Sequence, residues 1–431
     1  MKPAILSILV ASMLTIATAA VAQPPTHLWS QRFGSTLYDF GASVATDASG
    51  NVFMTGHFFG TVGFGGGALV SAGSFDIVVA KYSPTGTHLW SQRFGSTSSE
   101  RGNSVATDAS GNVFVTGAFD ETVNFGGGSL VSAGFWDIFV AKYDATGTHL
   151  WSQRFGSTDD DVGNSVVTDA SGNVFMTGEF IGEVDFGGGV LVSAGARDIV
   201  VARYSPTGTP LWSQRFGSTS DDVGISVATD ASGNVIMTGS FEETVNFGGG
   251  ALVSAGSADI VVAKYSPTGP HLWSQSFGGT SNEQGFSVAT DASGNVFMTG
   301  SFEGTVDFGG GALVSAGISD IVIAKYDATA TGVGDTPQSY VLSVSNFPNP
   351  FNPSTTISYT VPSRGNVTVA IFDARGARVT TLIDNKSVDA GTYRTEWIGR
   401  TDGGAVVSSG VYFARIEFNG TARTKKMVLL K

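Results

Sequence analysis

Short apolar segments alternate along the chain with turns rich in Gly, Asn, Ser and Pro, and the same four segments recur. One of them reads HLWSQRF or a close variant, and its tryptophans lie 61 residues apart at Trp29, Trp90, Trp151, Trp212 and Trp273. The other three read SVATD, VFMTG and DIVVAKY, again with small variations. All four are rich in Val, Ile, Phe and Thr without helical periodicity, so each predicts a β-strand. A fixed period of this length is typical of repeat architectures.

Two tight turns are predicted within each repeat. Asp-Ala-Ser-Gly-Asn, first at 47–51, joins SVATD to VFMTG, and Ser-Pro-Thr-Gly, first at 83–86, joins DIVVAKY to HLWSQRF. Asp47 can accept hydrogen bonds from the backbone ahead of it, and Gly50 can adopt a positive φ. Each repeat therefore predicts four antiparallel strands, one blade of a β-propeller, with SVATD innermost and HLWSQRF outermost.

The array begins with an outer strand and ends without one. HLWSQRF at His27 precedes the first complete repeat, and DIVIAKY ends the last repeat at Tyr326. Joining the two ends would complete five blades and remove both open edges. We therefore predict an all-β fold with a five-bladed propeller over residues 23–327, closed by pairing of Leu28–Phe33 with Ile321–Tyr326. An open solenoid is the alternative, for which capping repeats would be expected.

The repeat phrase, with its DASGN turn, Phe-Gly-Gly-Gly run and DIVVAKY strand, resembles the bacterial SBBP-type beta-propeller repeat over residues 27–327. That resemblance implies an exported protein and supplies no catalytic motif. The family is named for seven blades, whereas five are counted here.

The N-terminal segment carries a predicted export signal. Lys2 precedes an apolar run from Ile5 to Ala20, and Ala20-Val21-Ala22 forms a cleavage site before Gln23. Residues 1–22 are therefore predicted to be a secretory signal peptide. A membrane anchor is the weaker alternative, because the apolar run is shorter than the ~20 residues that a span needs.

The chain changes character after the repeats. Residues 328–339 are small and polar and predict a linker. Residues 333–431 hold 11 Lys/Arg against 7 Asp/Glu, whereas residues 1–332 hold 12 against 29. This change of sign predicts a separate domain over residues 340–431.

The C-terminal domain has a strand pattern of its own. Strands are predicted at Thr355–Val361, Val367–Asp373, Arg378–Ile383, Thr392–Trp397, Val411–Phe418 and Arg423–Leu430. About seven short strands in this length predict a small Ig-like β-sandwich. Its predicted core, formed without a disulfide, consists of Tyr359, Val369, Ile371, Trp397, Tyr412 and Ile416.

The phrases FPNPFNPSTTISYTVP, VAIFDARGARVTTL, SGVYFARI and KKMVLLK resemble the C-terminal sorting domain of the type IX secretion system. They are also similar to the Ig-like module of flagellar hook-capping proteins. The resemblance, over Asn346–Lys431, implies passage across the outer membrane of a Gram-negative bacterium. It implies the type IX machinery as a partner, and release or surface attachment as the outcome.

Composition excludes several classes of function. The chain has no cysteine, so disulfides, thiolate zinc sites and cysteine nucleophiles are absent. A net charge of -13 argues against duplex nucleic acid or an anionic membrane as the main partner.

Acidic loops are the best functional candidates. The predicted ligand or cation residues are Asp159, Asp160, Asp161, Asp221, Asp222, Glu242 and Glu243. Strand parity places their loops on one face of the ring, where scaffolds often carry binding function. Calcium favours several oxygens at one site, but no EF-hand-like loop is present, so a solvated acidic surface is the alternative. We predict no resident cofactor.

Histidines and glycine runs carry no predicted chemistry. His27, His88, His149 and His271 share one repeat position, but equivalent positions diverge around a ring, so solvent-facing strand starts are predicted rather than a metal site. The Phe-Gly-Gly-Gly runs lack the Lys-Ser/Thr of a phosphate loop and predict turns.

The sequence thus favours a secreted or surface-attached, non-enzymatic propeller that binds a glycan or a protein through its loop face. One alternative is a polysaccharide-acting hydrolase with carboxylates at the mouth of the ring. Another is a purely structural surface protein. No catalytic constellation singles out particular residues.

Overall fold

The computed structural model describes residues 26–327, 342–347, 349–361, 365–388 and 391–430. Every regular element in these ranges is a β-strand. No helix of the described ranges could cross a bilayer. The predicted signal peptide (1–22) and linker (328–339) lie outside the described residues.

Five consecutive sheets, which we number units 1 to 5, follow the five repeats. The first strands are Asp39–Thr46, Arg101–Thr107, Val162–Thr168, Val223–Thr229 and Gln284–Thr290. The second strands are Val52–Phe58, Val113–Phe119, Val174–Phe180, Val235–Phe241 and Val296–Phe302. The third strands are Asp76–Tyr82, Asp137–Tyr143, Asp198–Tyr204, Asp259–Tyr265 and Asp320–Tyr326. The fourth strands, in units 1 to 4, are His88–Phe94, His149–Phe155, Pro210–Phe216 and His271–Phe277.

Neighbouring strands in each sheet are antiparallel, in the predicted order from first to fourth. A small two-stranded hairpin fills the segment between the second and third strands of every unit. The hairpins pair Thr61–Gly63 with Ala68–Val70, Thr122–Asn124 with Ser129–Val131, Glu183–Asp185 with Val190–Val192, Thr244–Asn246 with Ala251–Val253, and Thr305–Asp307 with Ala312–Val314.

The Asp-Ala-Ser-Gly-Asn turns fold by local hydrogen bonds. The Asp47 Oδ1 atom accepts from the backbone of Ser49 at 3.0 Å and of Asn51 at 2.9 Å, while Gly50 has a φ of 77°. Lys81 lies 3.5 Å from the same carboxylate. Because the same turn occurs in all five units, the DASGN phrase is explained by backbone geometry.

The hydrophobic core lies between successive units. Ile77 and Val79 of unit 1 pack in one cluster with Val105, Val115 and Phe139 of unit 2. Clusters of the same kind join the later units. The sheets of units 2, 3 and 4 are therefore covered on both faces by their neighbours, which explains strands that are apolar on both faces.

Repeated hydrogen bonds fix each unit on the one before it. Thr107 Oγ1 of unit 2 donates to the carbonyl of Thr46 in unit 1 at 2.8 Å, and the same bond recurs at 2.8–3.0 Å at the next three interfaces. From the fourth strand of unit 1, Trp90 Nε1 donates to the carbonyl of Ala145 in unit 2 at 3.2 Å, and Gln92 Nε2 donates to Gly147 at 2.6 Å. Units 2 and 3 make the same two contacts with the units that follow them.

The predicted closure of the ring is wrong for this structure. Residues 28–33 have no strand geometry and no pairing with Asp320–Tyr326, so the described sheet of unit 5 has three strands. Instead, Trp29 Nε1 donates to the carbonyl of Pro84 at 3.1 Å and Gln31 donates to Gly86, both in unit 1. Residues 28–33 thus dock on unit 1 as a fourth strand docks on the following unit, but unit 5 does not reach them.

The described residues between 343 and 429 form two sheets around one core. The first pairs Ser343–Phe347, Thr355–Val361 and Gly391–Trp397, and the second pairs Arg378–Val388, Gly365–Asp373, Gly410–Phe418 and Thr421–Leu429. All six predicted core residues are buried in a single cluster between the sheets. The strand at Ser343–Phe347 was not among those predicted.

Candidate functional site

One carboxylate in each unit ties down the loop that leads into the first strand; we refer to these five as latch acids. They are Asp39, Glu100, Asp161, Asp222 and Glu283. Asp161 is fully buried, and its two oxygens accept from the backbone of Ser157 at 2.6 Å and of Ile181 at 2.9 Å. Burial raises the pKa of Asp161 to about 7 and that of Asp222 to about 6. These two members of the predicted acidic site therefore hold loops together.

The other five predicted acidic residues are spread over the loops. Three are exposed: Asp159, Asp221 and Glu243. The backbone of Glu242 donates to the latch acid Asp222 at 2.9 Å. Asp160 lines a cleft. Among the residues that the structure describes, no group of three or more His, Asp or Glu side chains could hold a metal ion.

The cleft lies between units 2 and 3 and has a volume of about 360 Å³. Unit 2 contributes Arg101, Asn103 and Trp136. Unit 3 contributes Asp160, Val162, Asn164, Glu179 and Arg197. Ligand sites occupy roughly 300–1,000 Å³, so the cleft is large enough for a small group. Its lining combines two arginines, two carboxylates, two amides and an indole.

Arg101 and Trp136 form one wall of this cleft. Arg101 opens the first strand of unit 2, and Trp136 directly precedes its third strand. The guanidinium lies 4.1 Å from the centre of the Trp136 ring. This cation–π contact involves the flat face of the guanidinium group, so the N–H groups at its edge can still donate hydrogen bonds.

Glu179 and Asn164 line the cleft from unit 3. Asn164 Nδ2 donates to Glu179 Oε2 at 2.6 Å and to the carbonyl of Gly224 at 3.0 Å. Burial raises the pKa of Glu179 to about 7, although Asn164 and the charge of Arg197 act in the opposite direction. The carboxyl group is therefore partly protonated near neutral pH, and it can both donate and accept hydrogen bonds.

An aromatic patch of unit 1 adjoins Arg101. His57 occupies the repeat position of Glu179, and its ring centre lies 4.9 Å from that of Phe40 and 5.2 Å from that of Phe75. Burial, followed by the charge of Arg101, lowers the pKa of His57 to about 4. His57 is therefore neutral at physiological pH, and Arg101 separates an apolar surface from a polar cleft.

The cleft residues occupy positions at which the five repeats differ. At the position of Arg101 the repeats carry Phe40, Arg101, Val162, Val223 and Gln284. At the position of Trp136 they carry Phe75, Trp136, Arg197, Ala258 and Ser319. At the position of Glu179 they carry His57, Ala118, Glu179, Ser240 and Ser301. Most of these residues are not acidic and so carry no acidic-loop signal, whereas their departure from the repeat at the same position distinguishes them in the sequence.

Three of the four histidines pack against the glycine runs and are half-buried rather than fully solvent-facing, whereas His27 is exposed as predicted. A Cβ atom on Gly66 would come within 2.3 Å of His88 Cε1, and His88 Nε2 lies 3.1 Å from Ser91 Oγ. His149 and His271 are seated in the same way in units 2 and 4. Burial lowers the pKa of both. In unit 3 Pro210 replaces the histidine.

Two parts of the chain match family models. Residues 345–430 match the secretion system C-terminal sorting domain, and residues 28–57 match the beta-propeller repeat. The first match indicates export to the cell surface or the extracellular space and implies interaction with the type IX secretion machinery.

Curated relatives share only part of their length with this chain. An uncharacterized WD repeat-containing protein of Acanthamoeba polyphaga mimivirus is 26% identical over 234 residues, which cover 46% of this chain and 17% of that protein. The regulatory protein FlaEY of Caulobacter vibrioides is 25% identical over 232 residues, which cover 51% of this chain and 24% of FlaEY. The chain thus spans less than a quarter of the length of these relatives.

Similar solved structures include PorZ, a surface component of the type IX secretion system of Porphyromonas gingivalis. It is 13% identical, with a TM-score of 0.25 and coverage of 90% of this chain and 59% of PorZ. A family 43 arabinoxylan arabinofuranohydrolase of Bacillus subtilis is also 13% identical, with a TM-score of 0.28 and coverage of 90% and 94%. TM-scores this low carry no argument about activity. The family matches show that this chain carries a beta-propeller repeat at residues 28–57 and a secretion system C-terminal sorting domain at residues 345–430.

Proposed function

We propose that this protein is a non-enzymatic binding module of a Gram-negative cell surface or its surroundings, and that the cleft between units 2 and 3 binds a glycan. The supporting observation is the concentration of repeat differences at the cleft. Side chains that serve only the fold, such as the latch acids, recur in every unit. Arg101, Trp136 and Glu179 do not recur, so folding does not account for them.

The lining of the cleft suits a glycan that carries a carboxylate. Arg101 and Arg197 can bind a carboxylate through paired N–H donors. Asp160, Glu179 and the two amides offer partners for hydroxyl groups, while Trp136 supplies a flat apolar surface. An acidic polysaccharide that contains uronic acid combines these features.

Binding of immobilised and soluble glycans tests this proposal. The full chain is screened against neutral and uronic-acid-containing oligosaccharides, and hits are measured by titration calorimetry. Trp136→Ala and Arg101→Ala should each weaken binding at least tenfold, which corresponds to about 1.4 kcal/mol. The matched controls are Ser319→Ala and Gln284→Ala, which change the same repeat positions in unit 5 and should leave the affinity unchanged.

Two results would contradict the proposal. One is the absence of any hit at millimolar glycan. The other is a hit whose affinity Trp136→Ala and Arg101→Ala leave unchanged, since the glycan would then bind elsewhere.

A second candidate is a polysaccharide hydrolase at the same cleft. It is favoured by Glu179, whose pKa of about 7 suits a general acid, and by Asp160, a second carboxylate on the same lining. Release of reducing sugar from acidic polysaccharides would support it, provided that Glu179→Gln abolishes the release and the exposed control Glu183→Gln does not. Binding without release favours the binding module.

A further inference from the structure

Unit 5 exposes an apolar face that the other units bury. Ile321 and Ile323 on its third strand are 85% and 78% exposed. The equivalent residues of unit 1, Ile77 and Val79, are at most 1% exposed because unit 2 covers them. Unit 5 therefore ends in a prepared interface that nothing described in this chain covers.

Unit 1 exposes the complementary face. Val44 on its first strand is 73% exposed. At the same position in units 2 to 5, the exposed fraction is only 4–6%, at Val105, Val166, Val227 and Val288. The two ends of the array thus display the two halves of the interface that recurs four times inside it.

Unit 5 also has an unfilled position beside its glycine run, where the other units hold a histidine or a proline. We call this position the histidine seat. Beside Gly309 and Gly310, an added Cβ atom would meet nothing within 4 Å, whereas Gly65 and Gly66 hold His88. His27, which opens the N-terminal HLWSQRF segment, is exposed.

The two ends of the array also carry one partner each of an ion pair that units 1 to 3 form internally. In units 1 to 3, the aspartate that opens the third strand pairs with an arginine of the fourth strand, as Asp137 does with Arg154 at 2.8 Å. The equivalent residues at the ends are Asp320 and Arg32, and the described residues form no ion pair with either. Residues 27–33 are identical in sequence to the paired strand His88–Phe94.

The hydrogen bond from a threonine of one unit to a threonine carbonyl of the preceding unit recurs at all four internal interfaces, at 2.8–3.0 Å. Despite these four interfaces, Val44 of unit 1 and Ile321 of unit 5 both remain exposed, so the first and last units do not cover each other. Both halves of a fifth interface are therefore left uncovered within one molecule. A contact between the two different ends of two molecules would be heterologous, and it would generate a ring or a filament of copies.

We propose that a second copy of this chain completes unit 5, with residues 27–33 of one molecule pairing with Asp320–Tyr326 of the next and unit 1 packing on the exposed face. By analogy with the pairing of Ala80 with Ser91, the register places Ser30 opposite Ala324.

The absence of cysteine permits a direct test. Ser30→Cys and Ala324→Cys are made separately in the full chain, mixed under mild oxidation, and analysed on non-reducing gels. The proposal expects a disulfide-linked dimer in the mixture, which rises with protein concentration. A control mixture of Ser30→Cys with Ala251→Cys, at an exposed hairpin position in unit 4, should yield little dimer.

The double variant Ser30→Cys/Ala324→Cys separates the alternatives. A ladder of covalent oligomers supports the proposal. A cross-link that forms only within one molecule, seen as a fast-migrating monomer, overturns it in favour of ring closure within the chain. Failure of the mixed single variants to cross-link above the control also overturns it.

Gly310→Ala gives a second test that does not depend on a disulfide. The added methyl group meets nothing in the isolated chain, so its thermal midpoint should equal that of the parent. It should occupy the seat that His27 of a second copy needs. Light scattering should show the parent mass at least doubling at high concentration, with Gly310→Ala remaining close to monomer. Equal mass–concentration curves for both proteins would overturn the proposal.

Discussion

At the scale of single residues, Glu179 opposes folding at neutral pH. Its folded-state pKa of about 7 lies above the ordinary value of 4.5, so the folded protein holds this proton more tightly than the unfolded chain does. The contribution of Glu179 to stability is therefore full below about pH 4.5 and is lost as the pH rises through about 7. A buried carboxyl group that lowers folding stability at neutral pH, as Glu179 does, is typical of a functional site.

Glu179→Gln should remove this cost while keeping an oxygen that accepts from Asn164. We expect the variant to match the parent at pH 4 and to be more stable at pH 8, by about 1–3 kcal/mol. Thermal unfolding across this pH range measures the difference. Glu183→Gln, an exposed change in the same unit, should show no such trend. A pH-independent effect of Glu179→Gln would show that its carboxyl group is well solvated.

Gly66 and Gly310 form a matched pair for the histidine seat. Gly66→Ala places a methyl group within 2.3 Å of the His88 ring, so it should destabilise the protein by about 1–3 kcal/mol. Gly310→Ala should change the stability of the monomer by less than about 0.5 kcal/mol. Chemical denaturation at low protein concentration measures both. Equal losses would mean that the seat in unit 5 is occupied.

Residues whose role is local were predictable from the sequence. Asp47 and Gly50 form the expected turn because the turn depends only on its own five residues. Arg101 and Trp136 were not found, because each is a single departure from the repeat and they meet only when units 2 and 3 pack. The sequence places the latch acids Asp161 and Asp222 on a binding surface, since sequence alone does not show that a carboxylate faces inward.

At the scale of elements, the fourth strand of unit 1 and the segment 28–33 share one sequence. The fourth strand is hydrogen-bonded to a third strand, whereas the segment 28–33 is not. Trp90 lies in a paired strand and its ring centre is 6.0 Å from that of Phe53. Trp29 makes the equivalent hydrogen bond to unit 1 but has no strand partner. Trp90→Ala should therefore cost about 3–5 kcal/mol, and Trp29→Ala less than half of that.

Urea unfolding at submicromolar concentration, where assembly is weak, measures this difference. Equal costs would show that residues 28–33 are paired with a third strand even in the monomer.

The strands themselves followed from the sequence, because apolar patterning and Gly-rich turns are local signals. Closure of the ring did not follow. Whether unit 5 meets unit 1 depends on a rotation that accumulates over four interfaces, and no single repeat encodes that sum.

At the scale of the whole molecule, the repeats and the C-terminal sandwich have separate cores. Trp397 packs against Phe351 and Tyr412, in a cluster that shares no residue with the clusters of the repeats. Trp397→Ala should lower only the calorimetric transition of the sandwich, by about 3–5 kcal/mol in stability. A parallel fall in every transition would mean that the two parts unfold together.

The sorting domain makes a prediction about location. Removal of residues 345–430 should retain the protein inside a host that has a type IX system, while Trp136→Ala should be exported normally. Fractionation followed by immunoblotting measures both. Export of the truncated chain at the parent level would show that the repeats carry a signal of their own.

Successive interfaces that use the same contacts have an evolutionary consequence. The gain or loss of one 61-residue repeat leaves the remaining units in contact through interfaces of the same kind. The number of units can therefore change by unequal recombination without compensating mutations. Meanwhile the residues at one interface, such as that between units 2 and 3, can change independently of the others.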